Sequence, residues 1–586
     1  MAMNVPIAHE SEHVRAVNYS PSASLLHQHS LGIFVPFHRL FLQTNSRFQL
    51  HPIFLVCEAS VSFFFLSYKQ QQTTKIRTTM MEWKWDTEHF QTAVLFPVRE
   101  FMQSHPTWSV GIAGLAISWI VLLWIGLFRQ WQQQQQQLLA FNKEPIMIHR
   151  MSPIQFMRYM LARDGPQFLV YLARALGTCS FRLPGYHLRV YVVGDASAAR
   201  SILEHHKTIK TPYLYEFFQE LAMGETFLVR NGKRAHHVRR ATAPAFTPIH
   251  RQRMTEIIDR LTEEWIATRL EPLYVQAKIP VDIDREMIEL TTSILTEVCF
   301  DYRLSSTERW TLIRNIQLAM QEFEDSTNIY YILSWTSWIF LGIQHKGHAA
   351  AKQVYNLCAK MLESYKTSEH PNHNTVLAMM VQDADYASDE ERIRDMVSFL
   401  ISGFDTVAHT LAWTFLELAR CPEEQVFLQA ALSKCTTQDE AVFCPALKYV
   451  IREVLRLYGP HALGSIRTPG QDVVVSDTKK TIPKGSICFL PYYLIMRNGD
   501  IFPYPDSFVP SRWERPTQEQ LLAFMPFGAG RRNCQGLPLA TAELRHIIAR
   551  LVGRYTFQVI SQGQFDYFVT LKPSKSLLLV SPRESG

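Results

Sequence analysis

Within the 586 residues, the types and spacing best suited to chemistry lie in "FGAGRRNCQG", Phe527 to Gly536. A cysteine in a core usually sits among apolar neighbours and packs as a small hydrophobe; Cys534 stands among arginines and glycines instead. The stretch "LPLATAELRHIIARLVGRY" follows with a helical period, which sets Cys534 at a helix start. There, partial positive charge and free N–H groups favour a thiolate over a thiol. Arg531 and Arg532 act in the same direction, and Gly528, Gly530 and Gly536 remove side chains so that something flat and large can approach the backbone. A thiolate in a glycine loop beside a broad planar group is how cysteine holds haem iron.

Independent stretches carry further candidates. In "SGFDT", Ser402 to Thr406, a glycine and hydroxyl residues inside a long apolar helical pattern can locally open the backbone hydrogen-bond ladder. In "REVLR", Glu453 and Arg456 lie one turn apart on one helical face, within reach of an ion pair.

The first stretch resembles the haem-binding loop of the cytochrome P-450 family, F-x-x-G-x-R-x-C-x-G, which Phe527, Gly530, Arg532, Cys534 and Gly536 all match. "REVLR" is similar to the family's E-x-x-R helix. "FVPSRW" looks like its meander, with Arg512 as third member of a Glu-Arg-Arg network that braces the wall behind the loop. "SGFDT" resembles the oxygen-activation motif [AG]-G-x-[DE]-T, with Ser402 where Ala or Gly is usual. The resemblance implies that Thr406 hydrogen-bonds oxygen and that Asp405 relays protons inward. "GKRAHHVRRATAPAF" looks like the family's C-helix, with Arg239 as a haem propionate ligand and Ala235 in the place of the usual Trp. His236 stands beside it, either as a substitute or as an exposed histidine. Arg467 in "GSIRTPG" and Arg532 resemble two further propionate ligands, since carboxylates near a buried iron need charge-assisted partners.

The elements that must position these residues follow from periodicity. Hydrophobic residues make up 47% and charged residues 19%, enough for a sizeable core. From Met151 to the end helical periods dominate. A pattern capped at Ser388, with Glu391 three residues on, predicts one helix of about 32 residues through "SGFDT" to Cys421-Pro422, long enough to cross the domain's centre. "CPALKYVIREVLRLYGP" predicts another, stopped by Gly459-Pro460. Short β-like pieces, "QDVVVSD" and "TIPKGSICFLPYY", complete a mainly α fold with minor β, which the resemblance makes a cytochrome P-450 fold with one catalytic domain over 151–586.

Upstream, residues 106–128 include "SVGIAGLAISWIVLLWIGLF", uncharged and long enough to cross a hydrocarbon core of roughly 30 Å. Basic residues after it predict a catalytic domain on the cytosolic side. Residues 1–79 read as an extension of unknown role, with Met80 as an alternative start; 80–105 precede the anchor, and 129–150 form a Gln-rich linker. The net charge of +6, with no basic run interleaved with aromatics, excludes nucleic acid as an implied partner. The nine scattered cysteines without a C-x-x-C pair exclude a disulfide framework and a zinc ribbon. "GAGRRN" lacks the last glycine of a dinucleotide loop and "GIQHKG" the lysine of a phosphate loop.

The resemblance implies a membrane-anchored monooxygenase of the endoplasmic reticulum holding haem b through Cys534. It would insert one atom of O2 into a lipophilic small molecule of terpenoid, polyketide, sterol or fatty acid class, in secondary metabolism. Electrons would come from a separate NADPH-dependent flavin reductase, docking on a face that includes Lys233, Arg234 and Arg240. The pocket would be lined by Tyr213 to Phe227, Phe323 to Trp335, Phe399 and Phe404. Two alternatives stay open: a haem-thiolate isomerase or dehydratase acting on a peroxide, and a non-catalytic haem or lipid-binding module.

Overall fold

The computed structural model describes residues 165–182, 190–211, 216–247, 250–325, 341–476 and 478–583. The extension, the pre-anchor segment, the apolar stretch at 106–128 and the Gln-rich linker lie outside the described residues. Among the described residues no helix is long and apolar enough to cross a membrane.

Helices predominate. Those that position the site are α1 (Ala196–Glu204), α2 (Lys233–Thr242), α3 (Arg251–Trp265), α4 (Ile283–Phe300), α5 (Asp389–Gly403), α6 (Thr406–Arg420), α7 (Pro445–Tyr458) and α8 (Leu537–Arg554). Local sequence explains their ends. Asp282 caps α4 through the Arg285 N–H, and Ser388 caps α5 through the Glu391 N–H at 3.3 Å. The reciprocal arm of the box is displaced by one residue, because the Glu391 carboxylate accepts from Ala387 N. Pro445 opens α7 where its missing N–H costs nothing, and Leu447, Val450, Ile451, Val454 and Leu455 form its buried stripe.

The strands are β1 (Ser180–Arg182), β2 (Val190–Val193), β3 (Ile209–Lys210), β4 (Ser465–Thr468), β5 (Val473–Val475), β6 (Lys480–Ile482), β7 (Ile487–Leu490), β8 (Tyr555–Phe568) and β9 (Thr570–Pro582). Five of them make a sheet ordered β1-β2-β7-β4-β3, parallel only between β2 and β7. β8 and β9 form a long antiparallel hairpin against α6. The main apolar core lies between α3, α4, α5, α6, α7, α8 and this hairpin.

The single long helix expected from Ser388 to Cys421 is two helices. α5 ends at Gly403, Phe404 and Asp405 interrupt, and α6 begins at Thr406. Competing hydrogen bonds hold the interruption: the Thr291 hydroxyl of α4 donates to the Phe404 carbonyl at 2.9 Å, and Thr406 Oγ1 donates back to the Ser402 carbonyl at 3.2 Å. Every side chain from Val407 to Ala419 is buried, so α6 does run through the interior.

Gly403 has a packing reason as well. A Cβ there would stand 2.8 Å from Leu295 Cδ1 of α4, itself buried. Gly403→Ala is expected to be destabilising by up to about 2 kcal/mol, an overpacking penalty of ~1–3 kcal/mol less the ~1 kcal/mol that alanine gains over glycine in a helix. A denaturant midpoint at or above the parent's would refute the clash.

Candidate functional site

The Cys534 loop is held by backbone first. Cys534 N donates to the Phe527 carbonyl at 2.9 Å, which closes the loop just before α8. Gly530 has φ +67°, and its missing Cβ would stand 2.4 Å from the Leu203 carbonyl at the end of α1. The space freed at Gly530 is thus filled by α1, not by an approaching ligand as the sequence led us to expect. Gly536 presents no such contact, its Cβ position being 3.9 Å from Cys534 Sγ.

Cys534 is exposed to a cavity, with protein packed densely around the rest of the loop. Burial pushes its thiol pKa up; the Gly536 and Leu537 N–H groups at the start of α8 and the Arg239 charge pull the other way without overcoming it. This corrects the expectation that helix start and neighbouring arginines alone favour the thiolate. The cause is geometric, because Arg532 is turned to the carbonyls of Phe227 and Arg230. Arg239 faces the sulfur while bonding the Asn533 carbonyl at 2.7 Å. A bound metal cation would supply the missing stabilisation of the thiolate.

A cavity of about 1290 Å³ opens beside the loop, with Cys534, Arg239, His236, Arg240, Lys233 and Arg531 in its lining. The basic residues expected to form a docking face thus border the cysteine cavity. His236 is exposed, and partial burial with Arg532, Arg531 and Arg239 holds its pKa down. Ala235 is fully buried, so the position of the usual Trp lies in the core.

One group missed from the sequence is Lys210. β3 pairs with β4 so that Lys210 stands directly opposite Arg467. Burial, then the charges of Arg467, Arg532 and Arg239, hold the Lys210 ammonium well below its ordinary pKa. Like charges directly opposite across strands are destabilising, and four cations in one place fit a ligand carrying several negative charges. With a cysteine sulfur at a helix start, this donor set fits a haem bearing two propionates. In sequence Lys210 sits in a two-residue strand without a motif, and only the β3–β4 register brings it to Arg467.

Glu453 and Arg456 are fully buried. Arg456 donates to both Glu453 oxygens at 2.9 and 2.8 Å, and Arg512 Nε and Trp513 Nε1 donate to the same carboxylate at 2.9 Å each. Arg456 also reaches the carbonyls of Met496, Pro505 and Ser507.

Asp405 and Thr406 stand at the α5–α6 break, and neither lines the cysteine cavity. α6 and α8 pack directly on one another, so both groups are built on one core. Asp405 is buried and accepts from the Thr570 hydroxyl of β9 at 2.7 Å. Thr406 is half-buried and Ser402 exposed. Phe404 is packed in the core at 2% exposure and Phe399 stacks on Phe227 with ring centroids 4.9 Å apart, so Phe404 does not present an open wall. The stretch 326–340 lies outside the described residues.

The family model for cytochrome P-450 matches residues 152–583. Among curated proteins, the chain is 36% identical over 174 residues to the mitochondrial 25-hydroxyvitamin D-1 alpha hydroxylase of Homo sapiens, covering 28% of this chain and 34% of that protein. It is 32% identical over 231 residues to the mitochondrial cholesterol side-chain cleavage enzyme of Oncorhynchus mykiss, covering 38% and 44%. It is 25% identical over 338 residues to the cyclooctatin synthase of Streptomyces melanosporofaciens, covering 55% and 70%. The chain therefore spans less than half the length of the first two relatives.

Proposed function

Since the chain belongs to the cytochrome P-450 family, whose members hold haem iron through a cysteine thiolate, we propose that it is a monooxygenase acting on a lipophilic small molecule. The observation that carries this reading is Cys534 at the start of α8 with Arg239 facing its sulfur, Arg239 being in turn one of the three arginines, with Arg467 and Arg532, whose charges act on buried Lys210. Cys534 would hold the iron and the four cations the propionates. The bound haem supplies oxygen activation and insertion.

The chain's own residues do the rest. The Gly536 and Leu537 N–H groups and Arg239 hold negative charge on the sulfur. Asp405 carries protons inward from the buried side of the break. Thr406, its hydroxyl proton engaged by the Ser402 carbonyl, offers an acceptor lone pair at the edge of that break. Phe527 and Gly530 shape the loop, and the Glu453–Arg456–Arg512 network keeps the wall behind it rigid.

Lys210→Met is expected to accelerate haem loss to an excess of an apo-globin acceptor by about ten- to a hundredfold, as one charge-assisted partner of ~1.5–3 kcal/mol disappears. A transfer rate equal to the parent's would remove Lys210 from the cradle.

Our reading extends to an anchor at 106–128, a Gln-rich linker at 129–150, a catalytic domain over 151–586 in the cytosol at the endoplasmic reticulum, and a flavin reductase as donor. Two relatives carry names that refer to mitochondria, so an iron–sulfur electron donor belongs in the same assay. Two are named for 25-hydroxyvitamin D and cholesterol, which supports a bulky lipophilic substrate. The test is spectral titration of the haem protein with sterols, terpenoids, polyketides and fatty acids, then turnover with NADPH and each donor against organic peroxide alone. Product that forms from peroxide and never with a donor would replace the monooxygenase with an isomerase or dehydratase.

A further inference from the structure

We propose that Asp284 and His409 form a proton relay that feeds Asp405 from the first turn of α4. It rests on the monooxygenase reading, because that reaction calls for protons at the α5–α6 break. His409 lies one turn beyond Asp405 on α6, and each of its ring nitrogens meets a carboxylate from a different place. Nδ1 is 2.5 Å from Asp284 Oδ1, and Nε2 is 3.8 Å from Asp405 Oδ2. The three side chains expose 14% (Asp284), 4% (His409) and 8% (Asp405) of their surface, so Asp284 is the outermost of the line.

The fold fixes this line from three sides. Backbone bonds between Val281 and Leu578, 2.8 and 3.0 Å, tie the start of α4 to β9, and Asp282 caps the helix so that Asp284 falls in its first turn. The other end of β9 supplies Thr570, whose hydroxyl donates to Asp405 Oδ2. Burial drives the pKa of His409 down, but Asp284 and then Asp405 outweigh it, so the ring is held above its ordinary value; Lys572 of β9 opposes them. His461, after α7, is the further titratable group facing Asp405. The buried ring hydrogen-bonds one acid through Nδ1 and turns Nε2 toward a second, Asp405 of the motif beside Thr406.

In the relay a proton taken up by Asp284 passes to Nδ1 as the Nε2 proton leaves for Asp405 Oδ2. One O–H and one N–H break, and one N–H and one O–H form. Rotation of the Asp405 side chain or one bridging water closes the 3.8 Å span, and proton exchange through water, in which Nδ1 loses one proton as Nε2 gains one, restores the starting tautomer.

The test uses the full haem-loaded chain with its donor and a substrate from the screen above. His409→Gln and Asp284→Asn are each expected to lower kcat tenfold or more with KM unchanged and to raise the solvent deuterium isotope effect. The double variant is expected to be no slower than either. Asp284→Glu, which keeps the carboxylate, should recover most of the rate. Parent kcat and isotope effect in both single variants would overturn the relay. A readout independent of turnover is NMR of the 15N-histidine-labelled chain, in which the His409 ring, identified by its loss in His409→Gln, should titrate above free histidine and fall in Asp284→Asn. A His409 titration indifferent to Asp284→Asn overturns the relay even if no substrate is turned over, whereas absence of turnover by the parent counts against the monooxygenase reading alone.

Discussion

Cys534→Ala is expected to abolish turnover and to remove the thiolate signature from the reduced, carbon-monoxide-bound spectrum while leaving the protein folded. The fold should survive because the loop is closed by the Cys534 backbone N–H to Phe527, which alanine keeps, and because the side chain is exposed to the cavity and not wedged in the core. The loss of activity should exceed 10³-fold, since no other sulfur stands at the start of α8. Of the eight cysteines in the described residues, Cys299, Cys358, Cys444 and Cys488 are buried, and burial pushes Cys299 and Cys488 up to about 12. A Cys534→Ala protein with the parent's carbon-monoxide spectrum would falsify the assignment of Cys534 as iron ligand.

Arg456→Ala should be the most destabilising single change in the chain. It leaves the Glu453 carboxylate fully buried with only Arg512, Trp513 and the Val509 N–H as donors, and strips the partner from the carbonyls of Met496, Pro505 and Ser507. Breaking a buried pair by removing one member costs about 3–5 kcal/mol, a large part of a typical domain's ~5–15 kcal/mol stability. The expected outcome is little soluble haem protein, or a denaturant midpoint far below the parent's. Glu453→Gln should also be destabilising, because its amide can accept only for one of the two oxygens and turns an NH2 toward the donors that faced the other, with Arg456 left without its counter-charge. Equal stability of Arg456→Ala and the parent would mean that the network braces nothing.

Legibility in the sequence differed from residue to residue for physical reasons. Cys534, Glu453 and Arg456 could be singled out because their neighbours in the chain are also their neighbours in space: a loop running into a helix, and a pair one turn apart. The cap at Ser388 and the stop at Gly459-Pro460 were readable on the same ground. The helix break at Phe404–Asp405 was not, because the bonds that hold it come from Thr291, more than a hundred residues earlier, and the space at Gly403 is filled by Leu295. Composition around "SGFDT" is apolar and helical on both sides, so periodicity alone runs straight through it.

The charge on Cys534 shows the same division. A helix start and two adjacent arginines predict a lowered pKa, and every one of those features is present. Folding nevertheless turns Arg532 toward Phe227 and Arg230, brings Arg239 from α2 to the sulfur, and surrounds the thiol with protein, so that burial dominates.

By itself, the sequence determined which residue types are available at short range: the cysteine loop, the Glu-Arg turn, the hydroxyl-rich motif, and helices in their order. Tertiary structure alone decided the long-range matters. These are the register that sets Lys210 against Arg467, the approach of α1 that requires Gly530, and the meeting of Asp284, His409 and Asp405. The reason is that hydrogen-bond caps and periodic faces are fixed within a few residues of chain, whereas the electrostatics of a buried group depend on whatever distant element closes over it.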